Sequence, residues 1–557
     1  MKKIALLMAL VAGVVLSSCN LEYFPSDELN DQVLLQNESG AAYIMDGCYA
    51  LLKDEIDFLG YASGNTFARH YFQMSEFPAD NACLSSHTTD ALYEATAYAM
   101  TDNLKNVGTL WMIAYKAIYM ANTVITSFEE GISADGDQLL GEAYFVRGWM
   151  HLNLVTLYAK PYSHGRDNIG VPLHISTNNA VVTRAKVGDV YDQIVKDLTK
   201  ASQLMGPSRG NTGYPCKDAA LGLLSRVHLY MENWEEVVNT VNTMLAGADP
   251  ASKLAKDLNA LFPNAKTESE TLFCIAHEPT DTRGQSSIGS MYLKDGMGWG
   301  EIYPSNTLLY LYERYPEDVR YSKIILPQYL ESGAITAYLP IEAQEGGIST
   351  GRTNMVVPAT KDGDNYTCTA NGTKYTLEKR TINGEYTEYW MNYEGEDVQV
   401  RVHPAINNRK YIPIYYINKF SYQDGDPMLS SPIVCRWGEV ILNRAEAYAH
   451  MGGKDAEALA DVNVIRERAG IPAEGMFAAD KMHGYASALD VVLDERRLEL
   501  AFEGHRLFDL TRNKRTIDRR FPGAQPWEVV QPDYPKLQYP IPNNEWTVSG
   551  IEQNPTY

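Results

Sequence analysis

Several stretches of this 557-residue sequence carry residues whose type and spacing could do chemistry. Gly347-Ile348-Ser349-Thr350-Gly351 spells G-x-S-x-G, the pattern of a nucleophile elbow that lifts a serine on a sharp strand-to-helix turn. An elbow needs an apolar strand before it and a helix after it. Here the polar run Glu342–Gly346 precedes and Arg352-Thr353-Asn354 follows, so acyl transfer is not expected. Glu495, Glu499 and Glu503 stand four apart and face one side of a helix, raw material for a glycosidase acid–base pair. Arg496, Arg506 and Asp509 lie close by, and arginines depress carboxylate pKa values where a general acid needs one raised. The expected role is a salt-bridge ladder. Gly296-Met297-Gly298-Trp299-Gly300 lacks the strand–turn–helix context of a phosphate loop and reads as a flexible loop presenting Trp299. Asp362-Gly363-Asp364 and Asp424-Gly425-Asp426 lack the remainder of a calcium loop. The 11 histidines form no HExxH or HxH and no cysteine pair forms a CxxC, so neither a metal nor another cofactor is expected. The chain reads as a binding protein, not an enzyme.

Composition points the same way. Tyr is in excess, 37 against 14 Phe, and its flat apolar face with a polar tip suits a wet binding surface. The formal net charge of −22 argues against nucleic acid and anionic lipid as ligands, since neutralising phosphates needs surplus Lys and Arg. With 45% hydrophobic residues and a mean hydropathy of −0.29, the chain is neither disordered nor polytopic. Its length corresponds to three or four average domains or one large elaborated one.

The elements that must position these residues begin after a leader. Lys2 and Lys3, the apolar run Ile4–Leu16, then Ser17 and Ser18 follow signal-peptide grammar over residues 1–18. Leu16-Ser17-Ser18-Cys19 reads as a lipobox, with Cys19 acylated and anchored in lipid; an ordinary secretory signal is the alternative. Residues 20–40 read as a tether. The six other cysteines, Cys48, Cys83, Cys216, Cys274, Cys368 and Cys435, are too sparse for a disulfide framework and are expected as buried small apolar residues.

Trp111, Tyr115, Ile118, Ala121 and Ile125 mark one helix face over Gly108–Ser127. Leu139, Ala143, Val146, Met150, Leu154 and Leu157 mark a second over Gln138–Tyr158, stopped by Pro161. A third carries Val190, Ile194, Leu198 and Ala201, with Asp189 as its cap. Lys217–Met231 with Trp234–Leu245, and Cys435–Met451 with Asp455–Arg468, form helical hairpins rich in small residues. They resemble tetratricopeptide units without a clean period. The predicted fold is therefore mainly α: a degenerate tetratricopeptide-like scaffold over about 30–246 and 431–515, with a C-terminal tail over 516–557. Residues 247–430, rich in Gly, Tyr, Thr, Asn and Pro with alternating segments such as Thr373–Lys379 and Glu385–Tyr389, are expected as a large irregular loop and β-hairpin insertion facing the ligand.

A series of motifs along the chain resembles the SusD/RagB family of outer-membrane lipoproteins. Cys19-Asn20-Leu21-Glu22 through Pro25 resembles its start, and Trp111, Tyr115, Ile118, Ala121 and Asn122 fit a W-x3-Y-x2-I-x2-AN helix. Glu142–Arg147, Tyr158 and Gly170-Val171-Pro172-Leu173 follow, then Arg184 through Asp197-Leu198. Further on come Arg436–Ala447, Val462–Arg466, Glu495-Arg496-Arg497 and Glu503–Arg506. Tyr539-Pro540-Ile541-Pro542 and Gln553-Asn554-Pro555-Thr556-Tyr557 resemble the family's ending, with Thr556 in place of its glycine. The resemblance implies a glycan-binding subunit on the cell exterior, lipid-anchored in the outer membrane, acting as a lid on a SusC-like TonB-dependent transporter. Peptide capture, a surface hydrolase and a pure interaction scaffold are its rivals.

Sugar rings stack their C–H faces on Trp or Tyr, while Asp, Asn or Arg hold hydroxyls at the rim. Two clusters meet that description and the family's habit of placing ligand contacts on loops between early helices and in the middle insertion. The first is Arg69, His70, Tyr71 and Phe72, with Asp80, Asn81 and Tyr93. The second is Trp299 and Tyr303, with Tyr389 and Trp390 as outliers.

Overall fold

The computed structural model describes residues 38–54, 67–85, 93–178, 182–345, 348–382 and 386–557. The leader, Cys19 and the tether up to residue 37 lie outside the described residues. No helix among the described residues is long and apolar enough to cross a membrane.

Among the described residues twelve helices of seven residues or more carry the scaffold: α1 (Glu38–Leu51), α2 (Phe67–Glu76), α3 (Lys105–Ser127), α4 (Ala134–Tyr158), α5 (Val187–Leu204), α6 (Lys217–Tyr230), α7 (Trp234–Leu245), α8 (Asn306–Glu313), α9 (Trp437–His450), α10 (Asp455–Arg468), α11 (Ala488–Glu499) and α12 (Arg506–Arg512). The apolar periods become buried faces. Val190, Ile194, Leu198 and Ala201 of α5 are fully buried, and Trp111, Ile118 and Ala121 of α3 nearly so. Helix α4 is buried all round, with Phe145, Trp149, Leu152 and Val155 joining the predicted stripe, because α3, α5 and α6 all pack on it. Ser133 caps it, its hydroxyl accepting from the Gly136 amide. Asp189 does not cap α5; Lys186 holds that position without a side-chain bond, and Asp189 sits inside the first turn.

The two helical hairpins stack on each other although nearly 200 residues separate them. Arg226 of α6 forms a two-pronged pair with Glu439 of α9 at 2.6 Å, and Arg444 of α9 reaches both Asn242 of α7 and Asp461 of α10. The Trp234 and His450 rings stack at 4.1 Å.

Thirteen strands matter to the argument: β1 (Ala82–Leu84), β2 (Thr271–Cys274), β3 (Ile302–Pro304), β4 (Ile335–Glu345), β5 (Ile348–Asp362), β6 (Asn365–Ala370), β7 (Thr373–Thr376), β8 (Glu378–Ile382), β9 (Tyr386–Tyr393), β10 (Glu396–Pro404), β11 (Asn408–Arg409), β12 (Ile412–Pro413) and β13 (Ile433–Arg436). The heart of the insertion is more regular than its composition suggests. Strands β4–β10 form one antiparallel sheet in the order β7-β6-β5-β4-β10-β9-β8. Leu377 alone joins β7 to β8, yet these strands are its two edges. Seven flat strands would span about 29 Å and one residue reaches about 7 Å, so the sheet must curl until its edges meet. The rings of Tyr366 on β6 and Tyr389 on β9 accordingly lie 5.1 Å apart. The curled sheet encloses its own small core of Ala337, Leu339, Ala359, Cys368, Ala370, Leu377, Met391 and Val400. Its outer face docks on the scaffold through Arg401, which bonds Glu313 of α8 and Tyr415.

The glutamate series is the ladder expected, and larger. Glu495 pairs with Arg320 (2.7 Å) and Arg466 (2.9 Å). Glu499 meets Arg320, Arg436 and Arg468, and Glu503 takes Arg436 and Lys419. The same Arg436 binds Glu270, which β2–β13 pairing brings beside it. All of these groups are buried except the half-buried Arg468. Arg496 turns instead to Asp509 and Glu446, and Arg506 to Asp80. Cys48, Cys83, Cys274, Cys368 and Cys435 are buried free thiols, and Cys216 is half-buried.

Candidate functional site

Ser349 lies in β5, its backbone opposite Gln344 of β4; this is a strand pair, without the strand–turn–helix an elbow requires. Among the described residues no group of His, Cys, Asp and Glu could hold a metal ion. Attention therefore falls on exposed aromatics with rigid supports.

Trp299 is 47% exposed, and the turn beneath it is rigid, not the flexible loop expected from its glycines. The Trp299 amide donates to the Ser290 carbonyl at 2.6 Å, and the Gly300 amide to the same oxygen. Gly300 sits at φ +53°, where L side chains are strained. A Cβ on Gly298 would lie 1.9 Å from the Leu293 carbonyl oxygen. Gly298→Ala is therefore expected to displace the turn and weaken ligand retention at least tenfold while lowering the melting temperature only slightly. Affinity electrophoresis beside a thermal melt checks this.

Tyr303 is a support and not a contact surface. It is 1% exposed, its ring lies under the turn and its hydroxyl donates to the Gly300 carbonyl at 2.9 Å. Arg409 ties the turn to the β11–β12 hairpin, donating to the carbonyls of Trp299 and Gly300 and pairing with Glu301. At the hairpin tip Tyr411 is 66% exposed and held at φ +66°, a costly conformation for a bulky residue. Thr353 and Asn354 of β5 hold that tip by its Lys410 and Tyr411 carbonyls. The neighbouring Arg352 accepts the Gly523 amide on its carbonyl, and its guanidinium lies 4.8 Å over the Trp527 ring. Four abutting segments thus present Trp299, Tyr411 and Trp527, with Met297, Arg409 and Arg352 between or beside them.

Most of the first predicted cluster lies behind this surface. Arg69, His70, Tyr71, Phe72, Asp80, Asn81 and Tyr93 are all buried. Asp80 accepts both prongs of Arg506, at 2.7 and 3.0 Å, and Asn81 accepts from Arg497. Burial opposes ionisation of Asp80, but Arg497 and Arg506 outweigh it and hold the carboxyl at about 2. Tyr93 donates to the Ala524 carbonyl, bracing the loop that carries Trp527. Residues expected to meet ligand thus hold the platform up. Trp390 is half-buried on the scaffold-facing side of the sheet, opposite Gln399, with Arg380 over its ring. Tyr389 points to the sheet's own core. Neither joins the platform. Of the predicted residues Trp299 alone is an exposed part of it. Tyr411 and Trp527 escaped prediction although Asn407-Asn408 and Pro522-Gly523 mark turns before them, because what links them to Trp299 is tertiary contact.

Glu76, at the end of α2 behind the platform, is fully buried; burial first, then the nearby Asp80 charge, pushes its carboxyl up to about 7. The folded state therefore favours the protonated form. This contribution is complete below pH 4.5 and is lost as pH rises through 7, a change of about 3 kcal/mol over that window. Urea unfolding at pH 5 and pH 8 should show this slope in the native protein and a flatter one in Glu76→Gln; parallel slopes would count against it.

With this geometry established, comparison with known proteins is informative. The SusD family model matches residues 270–557, and a second model, described as starch-binding associating with outer membrane, matches residues 50–229. A SusD-like protein of Formosa agariphila is 23% identical over 434 residues, covering 76% of this chain and 74% of its own. A SusD superfamily structure from Bacteroides vulgatus superposes with a TM-score of 0.67 at 23% identity, covering 94% of this chain and 99% of that one. A laminarin-binding SusD-like protein superposes at 0.61 with 19% identity, over 94% of this chain and 100% of that one.

Proposed function

Because this chain belongs to the SusD family, we propose that it captures a neutral oligo- or polysaccharide at the cell surface and delivers it to a SusC-like TonB-dependent transporter as that transporter's lid. The observation that carries the reading is the set of exposed aromatics Trp299, Tyr411 and Trp527, on segments linked to one another by Arg409, Asn354 and Arg352. Pre-formed aromatic faces stack on sugar rings at little entropic cost, and the guanidinium and backbone groups between them suit hydroxyls. The acidic balance of the chain disfavours polyanionic glycans. Capture needs no covalent step; lid opening and closing over the transporter suffices. Acylated Cys19 would anchor the chain to the outer membrane, facing outward. One solved SusD-like neighbour is described as laminarin binding, which supports a glycan as ligand.

Native electrophoresis through gels containing neutral polysaccharides tests the proposal. The expected result is retardation by one glycan, with that glycan unshortened after incubation and a large barrel protein co-purifying from membranes. Retention of peptides alone, or shortening of the glycan, would overturn it.

A further inference from the structure

A pocket lies between α1 and the turn at residues 211–214. Its volume is about 280 Å³, against about 110 Å³ for the cavity between α3 and the C-terminal tail. Asp46 and Tyr49 of α1, with Lys53 in the turn just past its end, form one wall; Asn211 and Tyr214 form the other, with Glu278 at the rim and β2 as floor.

The walls are fixed. Tyr49 donates to Glu142, a fully buried carboxylate that also binds Arg209, and Arg209 reaches on to Asp46 at 3.1 Å. The Arg209 guanidinium lies 4.4 Å over the Tyr214 ring, whose edge contact with Tyr49 spans 5.5 Å. The opposite turn is pinned by the Cys274 amide donating to the Thr212 carbonyl, and by Asn211 accepting the Gly213 amide. A Cβ on Gly213 would lie 2.4 Å from Ala276, so glycine permits this close seating on β2.

The charge pattern defines the occupant. Asp46 is paired with Arg209, Lys53 with Asp281 and Glu278 with Lys266. An ionic ligand would find no unpaired countercharge, whereas a paired carboxylate keeps lone pairs for hydroxyl donors. Two tyrosine rings supply apolar faces. We propose that this pocket is a separate site for a single neutral sugar residue, a pyranose or a chain end; the proposal rests on the glycan-binding reading above.

Saturation-transfer NMR on the whole mature protein, with D-glucose, D-galactose, D-mannose and D-xylose as probes, tests it. At least one sugar should bind saturably, with affinity weakened at least tenfold in Asp46→Ala and in Ala50→Phe, which fills the slot. Trp299→Ala should leave that affinity within twofold. If Ala50→Phe melts early, Asp46→Ala decides, because Arg209 keeps its Glu142 partner there. No saturable binding by any of the four, or binding lost in Trp299→Ala but unaffected by Asp46→Ala, overturns this site. Failure of polysaccharide retention with monosaccharide binding intact would instead fault the platform.

Discussion

Replacing Glu499 with alanine is expected to cost about 3–5 kcal/mol of unfolding free energy, the effect seen when one partner of a buried ion pair is removed. Glu499 is 2% exposed and meets three guanidiniums, Arg320, Arg436 and Arg468. Burial alone would raise its carboxyl; Arg468, Arg436, Arg320 and the Lys419 ammonium overcome that and hold it well below the usual carboxylate range. The variant leaves those cations facing Glu270, Glu495, Glu503 and Asp318. Because the network joins α10, α11, β13 and the short helix Val319–Lys323 with its cap Asp318, the loss spreads across several segments of the scaffold. Urea denaturation checks it; a loss below about 1 kcal/mol would mean the network is incidental. A Glu499→Gln variant keeps the shape and should still lose most of the stability, since charge is what the arginines require.

The second large effect concerns binding. Trp299→Ala removes an exposed ring of the platform without touching the core. Truncating an aromatic anchor costs about 2 kcal/mol or more, a loss of about 30-fold in affinity. Stability should change by no more than about 0.5 kcal/mol, as for other surface substitutions. The turn is held by backbone bonds from residues 299 and 300 to Ser290 and by Arg409, none of which needs the indole.

Much of the scaffold was legible from the chain because its signals are local. Apolar spacing of three and four marks α3–α5, and hairpins rich in small residues mark α6, α7, α9 and α10, to within a few residues, while the glutamate series with its arginines marks the ladder. The identity of the arginines was not legible: Arg320, Arg436 and Arg468 arrive from distant segments through β2–β13 pairing and packing on α11. The sheet was understated because a Gly-, Thr- and Tyr-rich composition conceals long strands, and its closure through Leu377 is a topological fact that no window reveals. The site divided along the same line. Trp299 stood out because glycines flank it, which is a local signal. Tyr71, Asp80 and Tyr93 read as a polar and aromatic binding cluster, yet ion pairing with Arg497 and Arg506, and burial against the 521–527 loop, are long-range effects. Tyr411 and Trp527 join the platform only through tertiary contacts.

The most direct measurement is affinity electrophoresis of the native protein and Trp299→Ala side by side, in gels with and without the retaining neutral polysaccharide. The platform account predicts retardation of the native protein and free migration of the variant, with coincident thermal melts. Equal retardation of both proteins would contradict it, as would loss of retention accompanied by early melting.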